Sequence, residues 1–215
     1  MKKISDKVIG RLTRYRALLT DHFPREKKTI FSHELGSLMR LTPSQVRRDL
    51  MCLGCYGLPR HGYEIDELVK HIGIILDAGG EQHVALVGVG NLGRALITFF
   101  EGRRSTLRIT AAFDADPVKA ERLFNGVPCH PIERLDEVVA AEGIRVAIVC
   151  VPGAVAQETA DRLVRAQVKG ILNFAPVPLR VPAGVFLEEL DVTSSLEKVA
   201  YFTTRRARGE REGRL

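Results

Sequence analysis

Gly88-Val89-Gly90-Asn91-Leu92-Gly93 lies between the apolar run Val84-Ala85-Leu86-Val87 and the helix-favouring stretch Arg94-Ala95-Leu96-Ile97-Thr98-Phe99-Phe100. Glycines at that spacing, after a strand and opening a helix, suit a dinucleotide pyrophosphate. The first allows a tight turn, the second lets backbone approach the phosphates, and the third lets helix pack on strand. The phosphates would meet N–H groups at the positive end of the helix dipole. Further along, a second apolar run over residues 107–113 ends in Asp114, 21 residues past Gly93. A carboxylate there accepts hydrogen bonds from an adenosine ribose 2′-hydroxyl and repels a 2′-phosphate, so NAD(H) is expected over NADP(H). A Rossmann-like domain with an idle glycine turn is the blander alternative. Glycines, strand and acid in register favour nucleotide binding.

Around this core the pattern alternates. Strand-like apolar runs occupy 84–89, 107–113, 146–151, 170–174 and 184–188, with a short extra strand near 127–130. Helical stretches lie near 91–101, 117–124, 134–142 and 153–166. Near-continuous apolar strands between helices predict a parallel sheet buried on both faces, doubly wound, with its cofactor beyond the strand C-termini. Val149-Cys150-Val151-Pro152-Gly153 and Asn173-Phe174-Ala175-Pro176 end strands at that same edge. Topology places Val151 and Pro152 near the nicotinamide half, although the prolines could simply stop strands. After the sheet, a helix over 192–202 (Val192, Leu196, Val199, Ala200) keeps an apolar face, which suits packing on another subunit.

The chain before the sheet reads differently. Ser5 or Asp6 can cap a helix reaching about His22, and Ser32 a short one over 34–39. Thr42-Pro43-Ser44-Gln45-Val46-Arg47-Arg48-Asp49-Leu50 opens another: Thr42 is an N-cap, Pro43 fits the first turn, and Gln45 sits where a capping box wants Glu or Gln. Val46, Leu50 and Leu53 face inward, leaving Ser44, Gln45, Arg47, Arg48 and Met51 outward. Two helices joined by a short turn, the second basic and sharply started, describe a helix-turn-helix. The loop from Gly54 to Gly62 fits a wing hairpin, and a helix over 65–76 leads to the glycines of Asp77-Ala78-Gly79-Gly80. Residues 1–78 hold 14 Lys/Arg against 9 Asp/Glu, a net of +5 within a chain total of +6. This excess suits a polyanionic partner, double-stranded DNA above all, over the plainer reading of a helical cap with a solvated basic face. The division expected is a winged-helix domain over 1–78, a Rossmann domain over 79–191, and a C-terminal helix and tail over 192–215.

No apolar stretch approaches the roughly 20 residues of a membrane span, and Met1-Lys2-Lys3-Ile4-Ser5-Asp6-Lys7 lacks a signal-peptide core. A cytoplasmic location is expected. Four scattered cysteines do not make a disulfide framework. Cys52-Leu53-Gly54-Cys55 is a C-x-x-C without a second pair to complete a zinc site; small buried apolar groups are the expectation, a thiol switch the alternative. The five arginines and two glutamates of residues 205–215 are expected to form a solvated, disordered tail.

Taken together, Ser44-Gln45-Val46-Arg47-Arg48-Asp49-Leu50, Gly88 to Gly93, Ala112-Phe113-Asp114-Ala115-Asp116-Pro117 and Gly170-Ile171-Leu172-Asn173-Phe174-Ala175-Pro176-Val177 resemble the Rex family of redox-sensing transcriptional repressors. The resemblance covers the chain to about Phe202. It implies a homodimer with winged-helix heads, Rossmann cores and C-terminal helices exchanged between subunits. Operator DNA would be bound when NAD⁺ prevails and released when NADH occupies the site. By the same resemblance, Gly88, Gly90 and Gly93 would line the pyrophosphate and Asp114 the ribose, with Val89, Asn91 and Leu92 also binding the cofactor, and Ser44, Gln45, Arg47 and Arg48 would meet the DNA. Arg16, Phe99 and Asp191 match positions of a cofactor-dependent contact between head, core and neighbouring subunit. Phe99 stands where the family usually has tyrosine. The Lys-Arg-Gly wing tip appears as Leu58-Pro59-Arg60, leaving Arg60 as the wing's DNA contact. The C-x-x-C and the basic tail are outside the usual pattern.

A competing expectation is an NAD-dependent dehydrogenase with a helical N-terminal cap. Only 27 residues follow the last strand, and no His–Asp or Tyr–Lys pair accompanies the nicotinamide segments. His130, the one histidine after the glycine loop, reads as a surface residue. A nucleotide-binding module without DNA affinity is a third possibility, opposed by the basic face at 44–51.

Overall fold

The computed structural model describes residues 4–24, 26–101 and 106–212. The chain divides into two compact units, Met1–Gly80 and Glu81–Leu215.

In the first unit, α1 (Asp6–Asp21) buries Leu12, Tyr15 and Leu19 along one stripe. Ser5 occupies the cap position, but its side chain makes no capping bond. Strand β1 (Thr29–Ile30) leads into α2 (Ser32–Met39), and here the expected cap is corrected. Ser32 is already helical and the cap residue is Phe31, whose N–H donates to Glu34 Oε2 at 2.8 Å. Glu34 is held by Lys27 Nζ at 2.6 Å, so the start of α2 is fixed by this carboxylate on the cap residue's N–H, without a serine hydroxyl. The turn into α3 (Pro43–Met51) is tight: Arg40 is left-handed at φ 54°, and a Cβ on Gly36 would come within 2.7 Å of Leu41 O. Thr42 Oγ1 accepts from Gln45 N–H at 3.2 Å, as its cap position requires. Strand β2 (Tyr63–Glu64) pairs antiparallel with β1, and α4 (Ile65–Leu76) closes the unit. Between α3 and β2, Leu58 and Gly62 exchange backbone hydrogen bonds at 2.8 and 3.0 Å, making a small wing loop with Arg60 left-handed at φ 67°. Leu12, Ile30, Leu35, Val46, Leu50, Leu68 and Ile72 fill the core; each contributes about 1.5–3 kcal/mol by leaving water.

One polar cluster is buried with them. Asp49, 1 % exposed, accepts from Arg11 Nε and Nη2 at 2.6 and 2.8 Å and from Tyr15 Oη at 2.9 Å, tying α3 to α1. Burial alone would push this carboxyl up, but the hydrogen bonds from Arg11, Gln45 and Tyr15 outweigh it and hold it below the usual range. The unfolded carboxyl protonates near pH ~3.9, the native one lower. The cluster's stabilisation is therefore complete above that pH and disappears as pH falls through the native value. Three of the four tyrosines lie in this unit and tryptophan is absent, so tyrosine fluorescence follows its unfolding. The stability gap between wild type and Asp49→Asn should be constant from pH 7 to about 5 and shrink below about 4; a gap that widens on acidification contradicts this account.

In the second unit the chain runs β3 (Gln82–Val87), α5 (Asn91–Phe100), β4 (Leu107–Asp114), β5 (Leu123–Phe124), β6 (Val127–Pro131), α6 (Leu135–Ala141), β7 (Val146–Val149), α7 (Gly153–Arg165), β8 (Gly170–Asn173), β9 (Phe186–Glu189) and α8 (Val192–Glu212). The sheet order is β5-β6-β4-β3-β7-β8-β9, parallel throughout except for β5, as a doubly wound fold requires. Side chains alternate between two cores. Ala85, Val87, Phe113 and Val149 point to one face with α6 and α7, while Val84, Leu86, Ala112 and Ile148 meet Ile97 of α5 on the other.

Two expectations are corrected. Residues 117–124 are not helical: Pro117 to Glu121 form turns, with Val118 N–H donating to Asp116 Oδ1 at 2.9 Å and Glu121 left-handed at φ 65°. The chain then enters β5 and reverses through Asn125-Gly126, both at positive φ, into β6. The final helix does not stop at Phe202 but continues to Glu212, so the basic segment 205–212 has helical backbone instead of forming a disordered tail. Residues 213–215, also assigned to that tail, and residues 1–3 lie outside the described residues.

Candidate functional site

Level strand ends build the first site. Val87 pairs with Phe113 and Val149, and Val149 with Asn173, so the segments after β3, β4, β7 and β8 leave the sheet at one edge. Gly88 turns there at φ 98°, and a Cβ on it would sit 2.5 Å from Cys150 O and 3.1 Å from Val151 Cγ1. A Cβ on Gly93 would fall 2.1 Å from Gly88 O, so only glycine lets α5 start against this loop. Gly90 is the opposite case: among the described residues nothing lies within 4 Å of its Cβ position. The loop is closed below by Gly88 and Gly93 and open above Gly90, at an α5 N-terminus with no side-chain cap. That is the cradle a pyrophosphate fits. Asn91 Oδ1 accepts from Arg94 Nη2 at 3.0 Å, and Leu92 is exposed.

Asp114, at the end of β4, does more than its spacing suggested. Its Oδ2 accepts from Val89 N–H at 2.8 Å, its Oδ1 from Asp116 N–H at 2.9 Å, and Lys119 Nζ lies 3.2 Å from Oδ2. Burial opposes ionisation, but these donors prevail and hold the carboxyl below its ordinary range, as an anion. Sequence reading missed Lys119, because it sits in the turn expected to be helix. Beside the loop, Val151 is half-buried and Pro152 exposed. Asn173, 2 % exposed, donates to Val177 O and accepts from Ala175 N–H, both at 2.9 Å. Gln157 brackets Arg180 through its N–H and carbonyl, both at 2.9 Å, and Glu189 Oε1 accepts from Leu179 N–H at 2.9 Å. Asn173 thus ties the Asn-Phe-Ala-Pro turn to itself, while Gln157 and Glu189 hold the chain that follows it. Gln157 and Glu189 gave no sequence signal, since neither belongs to a local pattern.

The second candidate face is on α3. Ser44, Arg47 and Arg48 are exposed and Gln45 half-buried. Arg47 donates to Ser32 Oγ and Ser44 Oγ at 3.1 and 3.2 Å, and Arg48 to Gln45 Oε1 at 3.0 Å. Among the described residues neither guanidinium is paired with a carboxylate, so both present uncompensated charge. Arg60 is exposed at the wing tip.

The N-terminal 3–50 match the family profile "Putative DNA-binding protein N-terminus", and 80–177 match "CoA binding domain". Over nearly the whole length the chain is similar to proteins named redox-sensing transcriptional repressor Rex. That of Brevibacillus brevis is 38% identical over 203 residues, 94% of this chain and 98% of the relative. That of Desulfitobacterium hafniense is 41% identical, covering 95% and 98%. The chain belongs to the Rex family. Among solved structures, the repressor RSP in complex with β-NAD⁺ and operator DNA matches with TM-score 0.87 at 33% identity, over 98% of this chain and 97% of that one. RSP in complex with β-NADH matches with TM-score 0.86 at the same identity, over 98% and 99%. A winged-helix head followed by a Rossmann-type sheet is therefore the fold of this Rex chain as well.

The three residues expected at an inter-subunit contact each have a partner within their own unit. Arg16 Nη1 lies 2.8 Å from both oxygens of Asp77 in the first unit. In the second, Phe99 is exposed and meets Phe100 edge-on at 5.4 Å. Asp191 caps α8, accepting from Ser194 N–H at 2.9 Å and from Ser194 Oγ, which holds its carboxyl low. Of the C-x-x-C, Cys52 is exposed and Cys55 buried, and burial, then Glu67, pushes the Cys55 thiol up. Among the described residues no His/Cys/Asp/Glu group is placed to hold a metal, and no helix is long and apolar enough to cross a membrane.

Proposed function

We propose that this chain is a cytoplasmic, homodimeric repressor whose grip on operator DNA follows the NADH/NAD⁺ ratio, tight with NAD⁺ or no ligand and released by NADH. The observation that carries this is the pairing, in one Rex chain, of a glycine cradle closed by Gly88 and Gly93 with a basic α3 whose Arg47 and Arg48 have no carboxylate partner among the described residues. Residues 1–78 form the DNA-binding head, 79–191 the NAD(H)-binding core, and 192–215 the C-terminal segment that passes to the other subunit. The exposed Val192, Leu196, Val199 and Phe202 supply the apolar surface for that exchange.

Gly88, Val89, Gly90, Asn91, Leu92 and Gly93 receive the pyrophosphate, Asp114 the adenosine ribose, and Val151 and Pro152 flank the nicotinamide. When bound, the cofactor supplies a ring that is cationic when oxidised and neutral when reduced. An apolar, water-poor wall favours the neutral ring, because desolvating the cation is costly. NADH acts only through tighter binding to the DNA-released arrangement; a hundredfold preference is about 2.7 kcal/mol of coupling. Arg16, Phe99 and Asp191 are the residues of the inter-subunit switch. Recognition helices must lie about 34–36 Å apart to enter successive major grooves, so a small rotation of the cores releases both together. Ser44, Gln45, Arg47, Arg48 and Arg60 make the DNA contacts.

The deciding experiment is operator affinity across an NADH titration at fixed NAD⁺ and salt. Affinity should fall steeply as NADH saturates the protein; equal affinity in both cofactor states ends the sensor reading. A smaller test concerns Asp114→Ala, which removes the ribose acceptor and unties Val89 N–H. Calorimetric NADH affinity should drop about tenfold or more, from the loss of charged hydrogen bonds. With Lys119 released from Asp114 and left beside Asp116 at 3.7 Å, discrimination against NADPH should narrow as well. Unchanged NADH affinity removes Asp114 from the site.

A further inference from the structure

Asp49 is filled on both oxygens. Oδ2 accepts from Arg11 Nε and Tyr15 Oη, Oδ1 from Arg11 Nη2 and, at 2.8 Å, from Gln45 Nε2. An ionised carboxylate only accepts, so Gln45 must turn its NH₂ toward it. The carbonyl Oε1 then faces away and holds Arg48 Nη2 at 3.0 Å. A glutamine amide is otherwise free to exchange its two ends by rotation. Here a buried anion, itself anchored by α1, removes that freedom.

We propose that Asp49 is a positioning residue for base readout, pinning Gln45 so that it offers one acceptor and one donor to an adenine edge. This rests on the DNA-binding role assigned to α3 above. Adenine presents the N6 amino donor and the N7 acceptor in the major groove, whereas guanine presents two acceptors, O6 and N7. Oε1, held outward, accepts from N6 of adenine and is repelled by O6 of guanine; the remaining N–H of Nε2 serves N7. Arg48 leaves Oε1 for the duplex as the base takes its place. Arg11 and Tyr15, on α1, act through Asp49 and touch no base.

The test uses the full-length dimer and the duplex that wild type selects from a randomised pool, with each A·T pair replaced in turn by G·C. Affinities are measured at one salt concentration for wild type, Q45A, D49N, D49E and Q45A/D49N. Wild type should lose about ten- to a hundredfold at one A·T pair, the worth of a bidentate contact. Q45A should abolish that preference. D49N, whose amide can either donate to or accept from Gln45, should reduce it severalfold, and D49E, still acceptor-only, should restore most of it. On the Q45A background D49N should change no preference further. A D49N protein that weakens on every duplex equally while keeping the wild-type preference overturns the proposal, since Asp49 is then only structural. Should D49N not fold, R11Q/D49N, which removes both charges together, gives the same readout. Wild type that binds all duplexes alike refutes the DNA-reading role itself; wild type that discriminates through an unpinned Gln45 refutes only the pin.

Discussion

Gly93→Ala is expected to weaken NADH binding severely and to destabilise the Rossmann unit. The added Cβ would lie 2.1 Å from Gly88 O and 3.1 Å from Leu86 Cδ2. The first neighbour is backbone and cannot rotate aside. Either α5 moves off the sheet or Gly88 shifts, and Gly88 is itself wedged against Cys150 O in a left-handed turn. Overpacking of this kind costs about 3 kcal/mol, the upper end for an inserted methyl group, and lowers Tm by roughly 6–12 °C in a domain of this size. The cofactor suffers more, because the loop and the first turn of α5 are the surface that holds it. Calorimetry should show NADH affinity down at least about a hundredfold. Affinity within twofold of wild type, in a folded protein, contradicts the cradle.

The paired change Arg47→Ala/Arg48→Ala should have the largest effect on DNA and almost none on folding. Both side chains are exposed and, among the described residues, hydrogen-bonded to hydroxyls and an amide, so stability should stay within about 0.5 kcal/mol. Operator affinity should fall about a hundredfold or more, since each arginine that no longer reaches a base or phosphate costs about 1–3 kcal/mol. Salt dependence separates the two uses. If both arginines neutralise phosphate, the slope of log affinity against log salt flattens by about 1.8; if one reads guanine, that part of the effect is confined to particular base pairs. Gel-shift measurements at several salt concentrations read both, and unchanged affinity in the double variant removes α3 from the DNA interface.

Much of this is visible in the residues, for definite reasons. The glycine loop, the apolar strands and the capped start of α3 are local patterns. Glycine at Gly88 and Gly93 is dictated by neighbours that the strand–turn–helix order itself supplies. Sequence patterns mislead where a distant partner decides the outcome. Ser32 has the chemistry of a cap, but Glu34 reaches back to Phe31 with Lys27 behind it. Residues 117–124 have helix-forming composition, yet β6 captures them: Glu121 N–H donates to Cys129 O and Cys129 N–H to Arg122 O, at 2.6 and 2.8 Å. Asn125-Gly126, a hairpin signal in plain view, is the local clue to that outcome. The anchoring of Asp49 by Arg11 and the ties of Gln157 to Arg180 and of Glu189 to Leu179 have no local signature, because those partners lie 10 to 38 residues away.

Asp114 carries a consequence for anyone wishing to retune this sensor toward a phosphorylated cofactor. The usual first step, replacing the acid with a small or neutral side chain, assumes that selectivity and scaffold are separable. Here the carboxylate that would reject the extra phosphate also fastens the backbone of Val89. A successful redesign must therefore supply a substitute acceptor for that amide, or it trades one specificity for a slack binding loop.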